Sequence, residues 1–123
     1  MRMSPARGQW AEEAAARHLT ERLGWRLLER NVRLAGGEID LILRDGRRVV
    51  FVEVKARRGR DAAAAVTADK RRRVARAAAL WLARKGMPPG GCSLDVVTVE
   101  GRGARTVVRH IPAAFDAPDR WGV

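Results

Sequence analysis

The sequence carries a single cysteine, Cys92. No internal disulfide can therefore form, and neither a zinc-finger nor a Cys-x-x-Cys redox spacing exists. At the head of the strand-like CSLDVVTVEG, it reads as a core position. Long hydrophobic runs are also missing: no tract is long enough to span a bilayer, so no membrane contact is expected. The start, MRMSPARGQW, turns polar and helical at once, without the apolar core of a signal peptide, and predicts a cytoplasmic protein. Of the two histidines, His18 and His110 share no motif spacing with each other or with the acids, and both read as structural or surface residues. GGEID lacks the Lys and Ser/Thr of a P-loop, and no G-x-G-x-x-G follows a strand. Ser93 and Cys92 have no positioned histidine, which leaves nucleophilic catalysis without support. Lysine is scarce too: of 25 basic residues only Lys55, Lys70 and Lys85 are not arginine.

Positive charge is abundant. The net charge of +11 attracts phosphate polymers and releases their counterions on binding, so nucleic acid is the natural partner. With 123 residues the chain reads as one domain over 1–123, able to bury roughly two-thirds of its unfolded surface without disulfides or a structural metal. The tail from about 113 reads as loosely ordered.

Ser4 and Pro5 predict a helix from about 5 to 23, stopped by Gly24. Ala15, Ala16, Leu19 and Leu23 form its apolar stripe, and Glu13, Arg17 and Glu21 a solvated, ion-paired face. Glu12 falls on the stripe. A β-type segment from Trp25 to Leu34 follows, then strands over about 38–44 and 47–56 around the hairpin signal Asp45-Gly46. RRGRDAAAA, 57–65, reads as a mobile basic loop. Thr67 starts a second helix, with Asp69 in its first turn, that stops at Gly86 and carries Val66, Lys70, Val74, Ala77 and Trp81 on one side. CSLDVVTVEG and ARTVVRHIP read as two more strands. The order α-β-β-β-α-β-β predicts a mixed α/β sheet flanked by helices. Trp10, Trp25 and Trp81 occupy apolar positions and read as core, while Trp121 suits either core or surface. Asp95, in an apolar strand, reads as a supporting carboxylate or, more simply, as the partner of a buried arginine.

GGEIDLILRDGRRVVFVEVKARR, 36–58, sets charges into two strands that otherwise read as buried, where carboxylates persist mainly when paired, hydrogen-bonded or holding a metal. Taking Asp45-Gly46 as the central turn residues puts Arg44 opposite Arg47, Asp40 opposite Phe51 and Glu38 opposite Glu53. Alternation then places Glu38, Asp40, Val49, Phe51, Glu53 and Lys55 on one side and Ile39, Leu41, Val50, Val52 and Val54 on the other. Asp40 is the diagonal neighbour of Glu53. The clustered acids suit Mg²⁺ (or Mn²⁺), a hard cation typically held by one or two carboxylates with water and substrate phosphate. Lys55 projects from the same face and can orient water, stabilise developing charge or, with a depressed pKa, take a proton. The competing reading is that Glu53 and Lys55 merely pair with each other and with nearby arginines.

GEIDLILRDGRRVVFVEVKAR resembles the PD-(D/E)XK nuclease superfamily, and more closely the YraN-like bacterial family, similar in outline to archaeal Holliday-junction resolvases. The match covers most of the chain, including GQWAEEAAARHL, RNVR, Gly37-Glu38-Ile39-Asp40, Phe51-Val52-Glu53-Val54-Lys55, Lys70 and Leu94-Asp95-Val96-Val97. Ile39-Asp40 stands where the superfamily name has Pro-Asp, and the carboxylate is retained. The resemblance implies a restriction-endonuclease-like three-layer fold. It also implies that Asp40 and Glu53 ligate the metal, with the Val54 backbone carbonyl completing the protein shell. Lys55 would position or activate water, and Glu12 would reach the site from the first helix. Glu38 would be a further ligand, an orienter of Lys55 or an arginine partner. Lys70 would contact phosphate or be structural, and Asn31 and Arg33 would support the site, contact phosphate or form an edge salt bridge. Junction resolvases act as dimers, and a homodimer is expected on that analogy alone.

The expected activity is metal-dependent endonucleolytic hydrolysis of DNA, at branched or recombination and repair intermediates. Arg57, Arg58 and Arg60, with Arg71, Arg72 and Arg73, would bind backbone phosphates without specifying sequence. The alternatives are a basic nucleic-acid-binding module that keeps the fold without cleaving, and an interaction protein of ribosomal or replication machinery.

Overall fold

The computed structural model describes residues 5–56 and 67–114. The Ser4 cap, the basic segment with Arg57, Arg58 and Arg60, Val66 and the tail with Trp121 lie outside these residues. Helix α1, Pro5–Arg17, runs directly into one π-helical turn, His18–Arg22. Ala15, Ala16 and Leu19 are buried as the stripe predicts, joined by Ala11. Leu23 is 43% exposed, which corrects its place on the stripe. The wider i→i+5 turn advances less per residue and takes position 23 off the buried face. Glu13, Arg17 and Glu21 are exposed, but among the described residues no ion pair links them. Solvated pairs gain too little to hold long side chains in register.

Strands β1 (Arg26–Leu34), β2 (Gly37–Asp45), β3 (Arg48–Ala56), β4 (Cys92–Glu100) and β5 (Val107–Ile111) form one sheet in the order β1-β2-β3-β4-β5. Only β3 and β4 are parallel. That pair needs a crossover, which contains helix α2, Ala68–Lys85. The expected α-β-β-β-α-β-β order is the observed one. ARTVVRHIP gives a shorter strand than its pattern predicts, because a 3₁₀ turn at Gly103–Arg105 takes up its start. Among the described residues, no helix is long and apolar enough to cross a membrane.

The layers follow from alternation on the central strands. Ile42, Val49, Phe51, Leu94 and Val96 pack beneath Val74, Ala77, Ala78, Trp81 and Leu82 of α2. Leu41, Leu43, Val50, Val52, Val97 and Val99 pack against Ala11, Ala15, Ala16 and Leu19 on the other face. Each Val, Leu, Ile or Phe side chain among them contributes about 1.5–3 kcal/mol when fully buried. Covered on both faces, β3 reads as the nearly continuous apolar run of a central strand. Trp81 ties α2 to two strands: its ring meets Phe51 edge-on at 5.6 Å, and its Nε1 donates to Glu29 Oε2 at 2.5 Å. Trp10 and Trp25 are half-buried against the α1-side core, in line with their core reading.

The hairpin register differs from the expected one. Its central turn residues are Gly46 and Arg47, closed by the pair Asp45–Arg48 and by a salt bridge between their side chains at 3.0 Å. Gly46 has φ +60°, so glycine serves the first central position, where two-residue hairpins of the II′ kind require it. Arg44 therefore faces Val49, Phe51 pairs with Ile42, and Glu38 lies opposite Arg33 of β1 rather than Glu53. The slip is two residues, and a two-residue slip leaves every side chain on its original face. Asp40, Glu53 and Lys55 thus keep their common side. Ile39 does not follow the expectation: it packs in the α2-side core, away from Leu41. The β2–β3 ladder ends at Leu41–Val52, and the Val54 N–H beyond it donates to the Asp40 side chain instead, freeing β2 to turn.

Candidate active site

Where the β2–β3 ladder gives out, the two strands part and leave a cleft of about 290 Å³. Glu38 and Asp40 line it from β2, Glu53 from β3, and Lys70, Arg73 and Val74 from α2. Asp40 is fixed by Val54, whose N–H donates to Asp40 Oδ2 at 2.8 Å. Glu53 is only 3% exposed, yet two ammonium groups converge on its Oε1: Lys70 Nζ at 2.8 Å and Lys55 Nζ at 3.6 Å. Lys55 reaches it from the same strand face, two residues on. Lys70 reaches it from the first turn of α2, whose start is set by Thr67, the hydroxyl of which accepts from the Lys70 N–H at 3.2 Å. A second hollow, of about 340 Å³, adjoins the cleft around Arg33, Ala35 and Glu38.

Glu12 approaches from α1. With its amide nitrogen toward the carboxylate, Asn31 donates to Glu12 Oε1 at 3.0 Å and to Oε2 at 3.3 Å. Asn31 has φ +50°, in the left-handed region that Asn tolerates better than most side chains. Glu38 forms its nearest ion pair with Arg33, at 3.6 Å and largely exposed. Of its three sequence roles, the arginine partner is the one with a contact on the molecule.

The acids act on one another. Burial, followed by the Glu53 charge, lifts Asp40 well above the ordinary carboxylate range against the lowering hydrogen bond from Val54, and Glu12 and Glu38 add to the lift. Burial and then Glu38 raise Glu12, partly offset by Asn31 and Arg30. Lys55 moves the other way: burial, then the hydrogen bond and charge of Lys70, lower its pKa. Burial also pulls Lys70 down, but its bonds to Glu53 and Lys55 and the charges of Glu53 and Asp40 outweigh this and leave it raised. A low-dielectric site with unequal acids and bases can move protons near neutral pH.

Asp40, Glu53 and Lys70 thus meet at one cleft, with Glu38 on its wall, Lys55 held beside it through Glu53 and Glu12 within electrostatic reach. Val54 engages the site through its N–H. Arg73 lines the cleft and pairs with Asp69 at 2.7 Å, while Arg72 lies 3.7 Å from the same carboxylate. Among the described residues, no three His, Cys, Asp or Glu side chains are arranged to hold an ion unaided.

Sequence reasoning missed Gly37. A Cβ there would lie 2.3 Å from the Arg73 carbonyl oxygen, so its lack of a side chain lets α2 close over β2 beside Asp40. The signal was the second glycine of GGEID, read only as turn punctuation. Asp95 was also misjudged. It is fully buried, but its partners are Ser93 Oγ, His110 Nε2 at 2.6 Å and the Ala113 N–H at 3.0 Å, with no arginine among them. His110 is therefore coupled to an acid, through a strand pairing that spacing along the chain could not reveal. Its ring also stands edge-on to Trp25 at 5.3 Å.

Comparison with known proteins places these residues in a family. A UPF0102 protein of Symbiobacterium thermophilum is 52% identical over 119 residues, covering 94% of this chain and all of that relative. One from Dechloromonas aromatica is 49% identical over 117 residues, covering 93% of this chain and 92% of its own length. Another, from Syntrophotalea carbinolica, is 41% identical over 117 residues, covering 93% and 94%. The family model described as "Uncharacterised protein family UPF0102" matches residues 11–99, a span that holds Glu12, Asp40, Glu53, Lys55 and Lys70, and the chain accordingly belongs to the UPF0102, or YraN-like, family.

Proposed function

We propose that the protein is a metal-dependent endonuclease of the PD-(D/E)XK type, hydrolysing DNA phosphodiester bonds. The observation that carries this reading is the meeting of Asp40 and Glu53 at one cleft with Lys70, and with Lys55 paired to the same Glu53 oxygen, in a chain of net charge +11. A purely phosphate-binding surface gains nothing from clustered acids, which repel phosphate unless a cation intervenes.

The donor set fits Mg²⁺ or Mn²⁺. Both are hard cations that prefer oxygen, and Mg²⁺ needs only one or two carboxylates when water and substrate phosphate complete its shell. Asp40 and Glu53 would hold the ion, with the Val54 carbonyl as a third oxygen. Asp40's raised pKa reports negative charge that lacks a full counter-charge, the condition a divalent ion relieves. The bound ion would supply Lewis-acid stabilisation of the phosphate and a more acidic water. Lys55, its proton loosened by burial and by Lys70, orients the attacking water. Water oxygen bonds to phosphorus as the ester bond opposite breaks, and the proton lost by water matches the one gained by the departing oxygen. Arg33, Arg71, Arg72 and Arg73 bind flanking phosphates, positioning the strand without reading its sequence.

One contact favours a second reading. Lys70 already neutralises Glu53 at 2.8 Å, as a basic module that binds nucleic acid without cleaving it would require. Incubation of the purified protein with branched, single-stranded and duplex DNA and with RNA, in Mg²⁺, Mn²⁺ or EDTA, separates the two. The nuclease reading expects cleavage that needs a metal and falls by about a hundredfold or more in Asp40→Ala and Lys55→Ala. Equal binding by all three proteins with no cleavage in either metal would leave the binding module.

A further inference from the structure

We infer that Lys70 is a resident counter-cation of the site, which a divalent ion must displace from Glu53 in order to bind. The inference rests on the metal-site reading above. Glu53 is almost fully buried, and a buried carboxylate without a partner is costly. The Lys70 ammonium meets that need at 2.8 Å from Oε1, and Lys55 Nζ lies farther off at 3.6 Å. A magnesium–oxygen bond is about 2.0–2.1 Å, so an ion on Oε1 and an ammonium in hydrogen-bond contact with the same oxygen would be two cations crowded together.

Of the two lysines, Lys70 is the one built to leave. Its side chain is 37% exposed against 21% for Lys55, and it extends from a helix end rather than from the central strand of the sheet. Metal entry and Lys70 departure are then a single exchange. The measured metal affinity is the intrinsic affinity reduced by the competing ammonium. Leaving Glu53 also frees Lys70 to face the cleft it shares with Arg73.

The test is calorimetric titration of the full chain with Mn²⁺ in the absence of nucleic acid, so that no turnover enters. Lys70→Met keeps the helix start, because Thr67 accepts from the backbone N–H of residue 70, and circular dichroism checks that the fold is retained. Removing the competing charge is expected to tighten Mn²⁺ binding by about tenfold, whereas Lys70→Arg, which keeps the competitor, stays within about twofold of the parent. Unchanged or weaker binding by a folded Lys70→Met overturns the exchange while leaving the metal site standing. No Mn²⁺ binding by either protein overturns the metal site, and the exchange with it.

Discussion

Asp40 is held where its charge is least welcome. It is half-buried, faces Glu53 and feels Glu12 and Glu38, while the Val54 N–H donates a hydrogen bond to its side chain. A raised folded-state pKa means that the native protein binds this proton more tightly than the unfolded chain does. Stability therefore falls as pH rises from the ordinary value of 3.8 through the raised one. Asp40→Asn keeps an oxygen to accept from Val54 and removes the charge. In metal-free buffer it is expected to stabilise the fold by about 1 kcal/mol at neutral pH, the usual scale when a functional strain is relieved. The gain should vanish below about pH 4, where both forms are uncharged. Urea melts of the two proteins at several pH values measure it, and an Asn variant less stable at pH 7 would mean that the carboxylate is already well compensated.

At the scale of elements, the cleft depends on how closely α2 lies on β2. Gly37 sets that distance, since a methyl group there would sit 2.3 Å from the Arg73 carbonyl oxygen. Backbone cannot yield as a flexible side chain can, so Gly37→Ala is expected to cost about 1–3 kcal/mol and to carry Lys70 away from Glu53. A thermal melt checks the first effect, and the loss of any Lys70→Met effect on Mn²⁺ affinity in the Gly37→Ala background checks the second. Alternation and turn signals made the elements and the shared face of Asp40, Glu53 and Lys55 legible in the sequence. The register was not, because Asp-Gly marks a hairpin without saying whether glycine fills its first or second central position. The error did no harm to the site, since it amounted to two residues and side-chain direction repeats every two. Leu23 was lost to a π turn that no residue pattern announces. The contacts Lys70–Glu53 and Asp95–His110 join strands and helices far apart in sequence, so only the folded chain could supply them.

The whole molecule carries 25 basic against 14 acidic residues, and the acids are not spread evenly: Glu38, Asp40 and Glu53 line one cleft. The molecule is thus an electropositive body with a slot in which carboxylates are concentrated, and the two parts make separable claims. Phosphate contact by the body releases condensed counterions, so affinity for duplex DNA falls log-linearly with salt, by about 0.9 per phosphate neutralised. If Arg33, Arg71, Arg72 and Arg73 each meet one phosphate, the slope of log K against log salt should be about −3.6. Arg72→Ala should weaken binding to every sequence alike and make the slope shallower by about 1. Asp40→Asn, in the slot, should leave the slope unchanged while tightening binding in EDTA, because one repelling charge is gone. Fluorescence anisotropy between 50 and 200 mM salt reads all three. A slope unaltered in Arg72→Ala would remove this face of α2 from the contact surface, and a slope altered by Asp40→Asn would mean that slot and body do not act separately.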